Sequence, residues 1–303
     1  MNDSIHRSFT LDGLTYHVEL LHQVKQPPSS PRLVIVAYQP NPQASRILDI
    51  CIRTIKCHTF EPHELWVIDN NSPADNTTWL HEVPGINVAF NHTFPIPPRQ
   101  RKLPWNYIKS LQRQQRWGSY ANAIGLELAV RMVEPECHFL VTLHMDTAPC
   151  QAGWLSYLQS KLNNSVRASG VHLQRNRVPE GVLHVLGLML DFQLFRQLKL
   201  DFYPCLPQFD VGDRVTIGFR QAGYDVTACR DTLNQPELVN DIPVSSPLKD
   251  LRVFRALDDE NRVIFLHLGR GVRKTTGEHT RGVTPNEWIN FANINLLNKE
   301  CHP

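Results

Sequence analysis

Four aspartates stand at points of the chain where a carboxylate could bind a metal or act as a base. Asp69 and Asp146 each follow a short apolar run, and Asp210 and Asp213 come just before a segment with helical character. In an open α/β sheet, ligands bind beyond the carboxyl ends of the strands. We therefore expect these carboxylates to converge on one edge of a sheet. Turn formation and helix capping are the alternatives, because aspartate favours both.

The elements that would position these residues alternate between strand and helix. Short apolar runs rich in β-branched residues predict buried strands at 33–38, 65–68, 86–90 and 139–143. Asn41 can cap a helix after the first strand, with Pro42 in its first turn. A strand, a helix and a strand at this spacing form a βαβ unit, which implies a parallel sheet. The predicted fold class is therefore α/β.

Two further segments stand apart from this pattern. Asp12-Gly13 is a favoured two-residue turn, and its flanks predict a β-hairpin over 8–21, followed by a proline-rich linker at 26–31. The sequence thus predicts a hairpin and linker at 1–31 and one large domain at 32–303. The basic, proline-rich residues 92–117 are predicted to form a loop, either a solvated surface or a lid over a site.

An ordered set of segments resembles family 2 glycosyltransferases. The set comprises the strand ending at Tyr38, the segment Asp69-Asn70-Asn71-Ser72, residues 118–125 around Asn122, His144-Met145-Asp146 with Trp154 behind it, and residues 209–213 with Gly223-Tyr224 behind them. The resemblance covers roughly residues 33–270. It departs from the family at His144, where aspartate is usual, and in the acidic segment, which lacks the usual Glu-Asp pair.

The resemblance implies a GT-A fold for residues 32–303, with a mixed, mostly parallel sheet flanked by helices. It also implies transfer of a sugar, with inversion, from a nucleotide-diphosphate sugar to an acceptor hydroxyl. The acceptor is left open between a glycan, a lipid-linked molecule and a small molecule. Contacts to the nucleotide-sugar are expected from five residues, namely Tyr38, Gln39, Asp69, Asn122 and Arg270.

A divalent cation is expected because a nucleoside diphosphate is a multiply charged leaving group. Asp146 is predicted to bind the cation, with His144 and His267 as imidazole ligands. The cation is expected to be Mn²⁺ or Mg²⁺, and imidazole nitrogen suits Mn²⁺ better. The alternatives are a helix cap at Asp146 and structural roles for both histidines.

The general base of the reaction is predicted to be Asp213, with Asp210 as the second choice. In the family the base lies just before this helix, which favours Asp213. Other classes stay open: a retaining transferase or a nucleotidyltransferase of similar fold, and a non-catalytic nucleotide-sugar-binding protein.

The composition excludes further classes. A formal net charge of +2 gives no reason to expect a nucleic-acid partner. No stretch approaches about 18 apolar residues and the first ten residues are not a secretory signal, so we expect no transmembrane segment and a cytoplasmic location. The seven cysteines are scattered and odd in number, which predicts reduced thiols rather than disulfides or a structural zinc site.

Overall fold

The computed structural model describes residues 4–98, 114–172, 181–206 and 208–298, and within them it holds a nine-stranded and a four-stranded sheet. The strands are β1 (Ile5–Leu11), β2 (Leu14–Leu21), β3 (Arg32–Ala37), β4 (Glu64–Asn70), β5 (Asn87–Asn91), β6 (Phe139–His144), β7 (Thr147–Pro149), β8 (Val166–His172), β9 (Leu183–Asp191), β10 (Asp225–Ala228), β11 (Arg230–Asp231), β12 (Phe254–Leu257) and β13 (Val263–His267). The helices are α1 (Pro42–His58), α2 (Gln114–Met132), α3 (Trp154–Ser160), α4 (Phe192–Gln197), α5 (Asp213–Gln221), α6 (Gly271–Thr275) and α7 (Pro285–Asn295). Three 3₁₀ turns lie at Ala74–Asn76, Thr78–Glu82 and Pro236–Asp241.

The large sheet has the order β1-β2-β5-β4-β3-β6-β9-β8-β10. Its four central strands, β5, β4, β3 and β6, run parallel, while β2 and β9 flank them antiparallel. The second sheet, β11-β12-β13-β7, is antiparallel. The predicted α/β fold with a mixed sheet flanked by helices is confirmed.

Helix α1 forms where the sequence predicts it and packs on both sheets. The Asn41 side chain accepts a hydrogen bond from the Ala44 N–H at 3.0 Å, so the predicted cap is present. Leu48 and Ile52 pack against the large sheet, whereas Ile47 joins the core beneath β13 and α7. The helix therefore ties the two sheets together.

Helix α2 covers the opposite face of the parallel strands. It approaches β3 so closely that a Cβ on Gly125 would lie 2.4 Å from Val36 Cγ1, which only a glycine permits. The predicted start of this helix, near Tyr120, is too late, because the helix already begins at Gln114. Of the predicted 92–117 loop, residues 99–113 lie outside the described residues.

The predicted amino-terminal hairpin is present, with positive φ at both Asp12 and Gly13 as such a turn requires. Strand β2 continues into the large sheet through β5, and the Tyr16 side chain is fully buried in its core. The division of the chain at residue 31 stays a prediction, since the hairpin shares the main sheet.

Two further expectations concern cysteines and membranes. Cys57 is disulfide-bonded, so the expectation of reduced thiols throughout is wrong at that position. Five other cysteines are free, namely Cys51, Cys137, Cys150, Cys205 and Cys229. Within the described ranges, no helix has the length and apolar character needed to cross a membrane.

Candidate metal centre and donor site

His144, Asp146 and His267 meet where the two sheets join. Strand β6 of the large sheet ends at His144, and after two intervening residues the chain starts β7 of the small sheet. Strand β13 pairs antiparallel with β7, which sets its last residue, His267, opposite Thr147. A backbone hydrogen bond of 3.0 Å from Leu268 N–H to the Asp146 carbonyl fixes this junction. Residues far apart in the chain are thereby brought to the carboxyl edge of the parallel strands.

The ligand atoms of these three side chains all lie within 4.8 Å of one another. His267 Nε2 is 3.0 Å from Asp146 Oδ1 and 3.4 Å from His144 Nδ1. Two ligands at right angles, each about 2.1 Å from a divalent ion, are about 3.0 Å apart. The spacing of the triad therefore fits a divalent cation.

The second oxygen of Asp146 is held by helix α6. The Gly271 N–H donates a hydrogen bond to Asp146 Oδ2 at 2.8 Å, and a Cβ at residue 271 would lie only 2.9 Å from that oxygen. Asp146 is 5% exposed, so the carboxylate has little room to choose another orientation. Because the Gly271 N–H binds Oδ2, the other oxygen, Oδ1, is the one that contacts the His267 imidazole.

The electrostatics of the triad favour a carboxylate and a neutral imidazole. Burial raises the pKa of Asp146, but the two histidines and the Gly271 N–H outweigh it and hold the pKa well below its usual range. Burial and the neighbouring His267 lower the pKa of His144 to about 4. Near neutral pH, Asp146 is ionised and His144 is uncharged, which are the forms that bind metal.

Asp69 lies at the carboxyl end of β4 within a closed set of hydrogen bonds. Its oxygens accept from Gln39 Nε2 at 3.1 Å and from the backbone N–H and hydroxyl of Ser72. Burial raises the pKa of Asp69, and the hydrogen bonds from Ser72 and Gln39 oppose that shift. Gln39 is fully buried, while Tyr38 beside it is 41% exposed and open to a ligand.

Asp210 and Asp213 occupy different environments before α5. Asp213 is 0% exposed, and its Oδ2 accepts a 2.7 Å hydrogen bond from the Asp210 N–H, which closes the turn. Asp210 is half-buried, and its charge acts on His144 by raising that histidine's pKa against the larger lowering effects. The charge of Asp210 therefore reaches the triad.

The remaining predicted residues surround the same edge. Asn122 Nδ2 on α2 lies 3.5 Å from His144 Nε2. Arg270, at the start of α6, has a left-handed backbone and donates to His279 Nδ1 at 3.2 Å. Burial lowers the pKa of Lys274, and Asp146 partly offsets the shift, so this lysine also lies near the triad. Lys274 Nζ donates to the carbonyls of Leu268 at 3.2 Å and Val283 at 2.8 Å, so its charge is held beside the helix whose Gly271 N–H binds Asp146.

His184 is a site residue that the sequence analysis does not find. Its ring packs edge-on against His144, with ring centroids 5.2 Å apart. The Leu186 N–H donates to His184 Nδ1 at 3.1 Å, so the proton of the neutral ring sits on Nε2. Since His184 is the second residue of β9 and follows no motif, only its neighbours in space identify it.

No protein-family model matches the chain, and no curated protein sequence matches it. Among solved structures, the galactosyltransferase LgtC in complex with donor and acceptor sugar analogues matches with a TM-score of 0.50 and 12% identity, over 87% of this chain and 96% of that one. An active-site mutant of LgtC gives a TM-score of 0.50 and 10% identity, over 87% and 95%. Mannosyltransferase PcManGT from Pyrobaculum calidifontis, in complex with GDP-Man and Mn²⁺, gives 0.48 and 12%, over 91% and 73%. The LgtC matches show the fold, and the predicted GT-A fold is confirmed.

Proposed function

We propose that the protein is a metal-dependent glycosyltransferase that moves a sugar from a nucleotide-diphosphate sugar to an acceptor hydroxyl. The observation that carries the proposal is the His144, Asp146 and His267 triad, set at the carboxyl edge of the parallel strands. That edge is where α/β folds bind ligands. LgtC shares the fold, and its structure holds donor and acceptor sugar analogues, which is the ligand class assigned to this chain.

The three side chains would hold the cation as two imidazoles and one carboxylate. Nitrogen ligands favour Mn²⁺ and its transition-metal neighbours over Mg²⁺, which prefers an all-oxygen shell. When bound, the cation neutralises the diphosphate leaving group. Arg270 and Lys274 add positive charge beside the triad and are assigned to the phosphate oxygens.

The donor's nucleoside is assigned to the end of β4. Tyr38 offers an exposed aromatic ring there, and buried Gln39 and Ser72 hold the Asp69 carboxylate in one orientation. A carboxylate at this place can accept hydrogen bonds from ribose hydroxyls or a base N–H. The fixed orientation of Asp69 supports this role, because little free energy is needed to order its carboxylate when the ligand binds.

We assign the general base to Asp210 rather than to Asp213. A base must come within hydrogen-bond reach of the acceptor hydroxyl, and the fully buried Asp213 carboxylate is engaged in closing its own turn. Direct displacement assisted by one carboxylate inverts the anomeric centre. Inversion is therefore part of the proposal, and NMR of the product anomer tests it. The cytoplasmic location stays a prediction.

The proposal is tested by binding and by turnover. Purified protein is screened against UDP-, GDP-, CDP- and TDP-sugars by thermal shift, with Mn²⁺, Mg²⁺, Co²⁺ or chelator present. Donor hydrolysis and transfer to simple glycans are then followed for any hit. We expect metal-dependent stabilisation by one nucleotide class, since a ligand that binds only the folded state stabilises it.

The matched variants are Asp146→Ala, which removes the central carboxylate, and Asp225→Asn, which neutralises an exposed carboxylate on β10. Asp146→Ala should abolish the metal-dependent shift, whereas Asp225→Asn should behave as wild type. Equal metal-dependent nucleotide binding by wild type and Asp146→Ala contradicts the assignment of the metal site. Absence of any nucleotide-sugar binding by the wild-type protein contradicts the proposed function itself.

A further inference from the structure

A cavity of about 870 Å³ lies at the opposite edge of the large sheet from the triad. His22, which follows β2, and Glu134, which precedes β6 and pairs with Arg32 at the start of β3, mark this as the amino-terminal edge of the parallel strands. Half-buried Val130 and Leu200 supply apolar surface to its floor. Exposed Arg7, Lys25, Arg196 and Lys199 stand around its rim.

The charges of this cavity do not cancel. Each of its three carboxylates has an arginine beside it: Glu127 has Arg131 at 2.7 Å, Glu134 has Arg32 at 3.5 Å, and Asp201 has Arg214 at 3.0 Å. Arg32 also pairs with Glu64 at 3.2 Å, so one negative charge of this group stays uncompensated against the four rim cations. The four rim cations form no ion pair with any described residue. The Arg196 guanidinium lies 5.9 Å from the centroid of the Phe192 ring, a contact that does not neutralise its charge. The lining therefore carries net positive charge beside its apolar side chains.

The backbone at Lys199 makes this rim charge removable by a substitution that suits the fold. Lys199 closes α4 with φ of +52°, the left-handed conformation that glycine usually supplies at this position. The Lys199 N–H donates to the Arg196 carbonyl at 3.0 Å and the Leu200 N–H donates to the Phe195 carbonyl at 3.1 Å. A lysine is thus held where a glycine would fit better, and it is one of the residues that line the cavity.

We propose that this cavity is a binding site for an anionic amphiphile, specifically a phosphate monoester joined to a short apolar chain. The phosphate would lie among the four rim cations, and the chain would cover the floor. The volume lies within the range of about 300–1,000 Å³ that small-molecule sites occupy. The site is separate from the metal triad, and its test does not require that the protein be a glycosyltransferase.

The probe is hexyl phosphate, with binding to the full-length protein measured by calorimetry. Inorganic phosphate tests the head group alone, and hexanol tests the chain alone. We expect hexyl phosphate to bind more tightly than either, because the charged and the apolar parts of the site each contribute. Equal affinity for hexyl phosphate and inorganic phosphate, or no binding of hexyl phosphate, overturns the proposal.

Lys199→Gly separates this role from a structural one. The substitution removes a rim charge while giving the left-handed position the residue that suits it, so the melting temperature should not fall. Hexyl phosphate affinity should fall up to about five-fold, and Lys25→Gln should lower it by a similar factor. Arg252→Gln, which neutralises an exposed arginine outside the cavity, is the control and should leave affinity unchanged. Unchanged affinity in both Lys199→Gly and Lys25→Gln overturns the assignment.

Vesicles distinguish the two sources of such a ligand. If hexyl phosphate binds and vesicles containing phosphatidic acid retain the protein while pure phosphatidylcholine vesicles do not, the ligand is a lipid head group. If hexyl phosphate binds but neither vesicle retains the protein, the ligand is a soluble phosphate ester. Retention by phosphatidic acid vesicles that survives Lys199→Gly and Lys25→Gln together overturns the cavity as the site, since a general surface charge would then explain it.

Discussion

Replacing Gly271 with alanine should weaken metal binding by displacing the Asp146 carboxylate. The φ of Gly271 is not positive, and the residue is the first of helix α6, so alanine fits the backbone. In a helix, alanine is about 0.5–1 kcal/mol more favourable than glycine. The new methyl group, however, would lie 2.8 Å from Asp146 Cβ and 2.9 Å from Asp146 Oδ2.

The size of the effect follows from these distances. Ordinary contact begins at 3.4 Å, so the two groups must separate by about 0.6 Å from the present 2.8 Å. Metal–ligand distances tolerate only about 0.2 Å of error. Displacement of Asp146 also disturbs its hydrogen bond from the Gly271 N–H, which orients the carboxylate. Loss of a hydrogen bond to a metal ligand typically lowers metal affinity about ten- to a hundred-fold. This loss corresponds to about 1.4–2.7 kcal/mol.

The assay is a titration with Mn²⁺ in the presence of a saturating nucleoside diphosphate, followed by calorimetry and by the electron paramagnetic resonance of free Mn²⁺. Gly118→Ala is the matched control, because Gly118 is also a helical glycine without positive φ and a Cβ there meets nothing within 4 Å. Gly118→Ala should melt no lower than wild type, whereas Gly271→Ala should melt lower, because its methyl group displaces the buried Asp146 side chain. Only Gly271→Ala should lose Mn²⁺ affinity. Wild-type Mn²⁺ affinity in Gly271→Ala would refute the view that Asp146, held by α6, is the central ligand.

Three further predictions concern the rest of the site. Asp69→Ala should weaken nucleoside diphosphate binding by about 1–3 kcal/mol in calorimetry. Ser72→Ala removes the hydroxyl that donates to Asp69 and accepts from the Gln39 N–H, and it should weaken binding less, because Gln39 Nε2 and the Ser72 N–H still hold the carboxylate; equal effects would make Asp69 structural. Asp210→Asn should lower kcat by about 10²–10⁴ with donor affinity kept, while Asp213→Asn should mainly lower the melting temperature; the reverse pattern restores Asp213 as the base. The metal-free protein should lose stability as the pH falls from about 6.5 to about 4, because the unfolded histidine binds a proton near 6.5 and folded His144, with its pKa lowered to about 4, does not. Denaturant titrations at several pH values measure this slope, and a His144→Asn variant with the same slope would contradict it.

The parts of the fold that the sequence predicts are those with strong local patterns. The continuous apolar runs at β3, β4 and β6 are buried on both faces, as parallel strands must be, and so they are conspicuous. The Asp12-Gly13 turn and the Asn41 cap depend on two or three neighbouring residues. Strand β8 has no such pattern, because Arg167, Ser169 and Gly170 interrupt its apolar residues, and only pairing with β9 and β10 makes it a strand.

Local sequence patterns also predict only part of the candidate metal site. Asp146 and His267 follow from the rule that ligands gather at the carboxyl ends of strands. That rule does not predict His184. Strand β9 runs antiparallel to β6, so the amino end of β9, where His184 lies, reaches the edge of the sheet that carries the site. Gly212 turns the chain with φ of +79° between Asp210 and Asp213, and spacing alone does not show which carboxylate then faces the triad.

The position of the triad also couples metal binding to the junction of the two sheets. Asp146 lies on the short link from β6 to β7, and His267 reaches it only while β13 remains paired with β7. A cation held by both side chains therefore binds only the assembled junction and stabilises it by mass action. Such a cation would also hold α6 in place, because the Gly271 N–H and the metal would share one carboxylate. Under the proposed function, donor binding through α6 and the pairing of the small sheet would then be parts of one equilibrium.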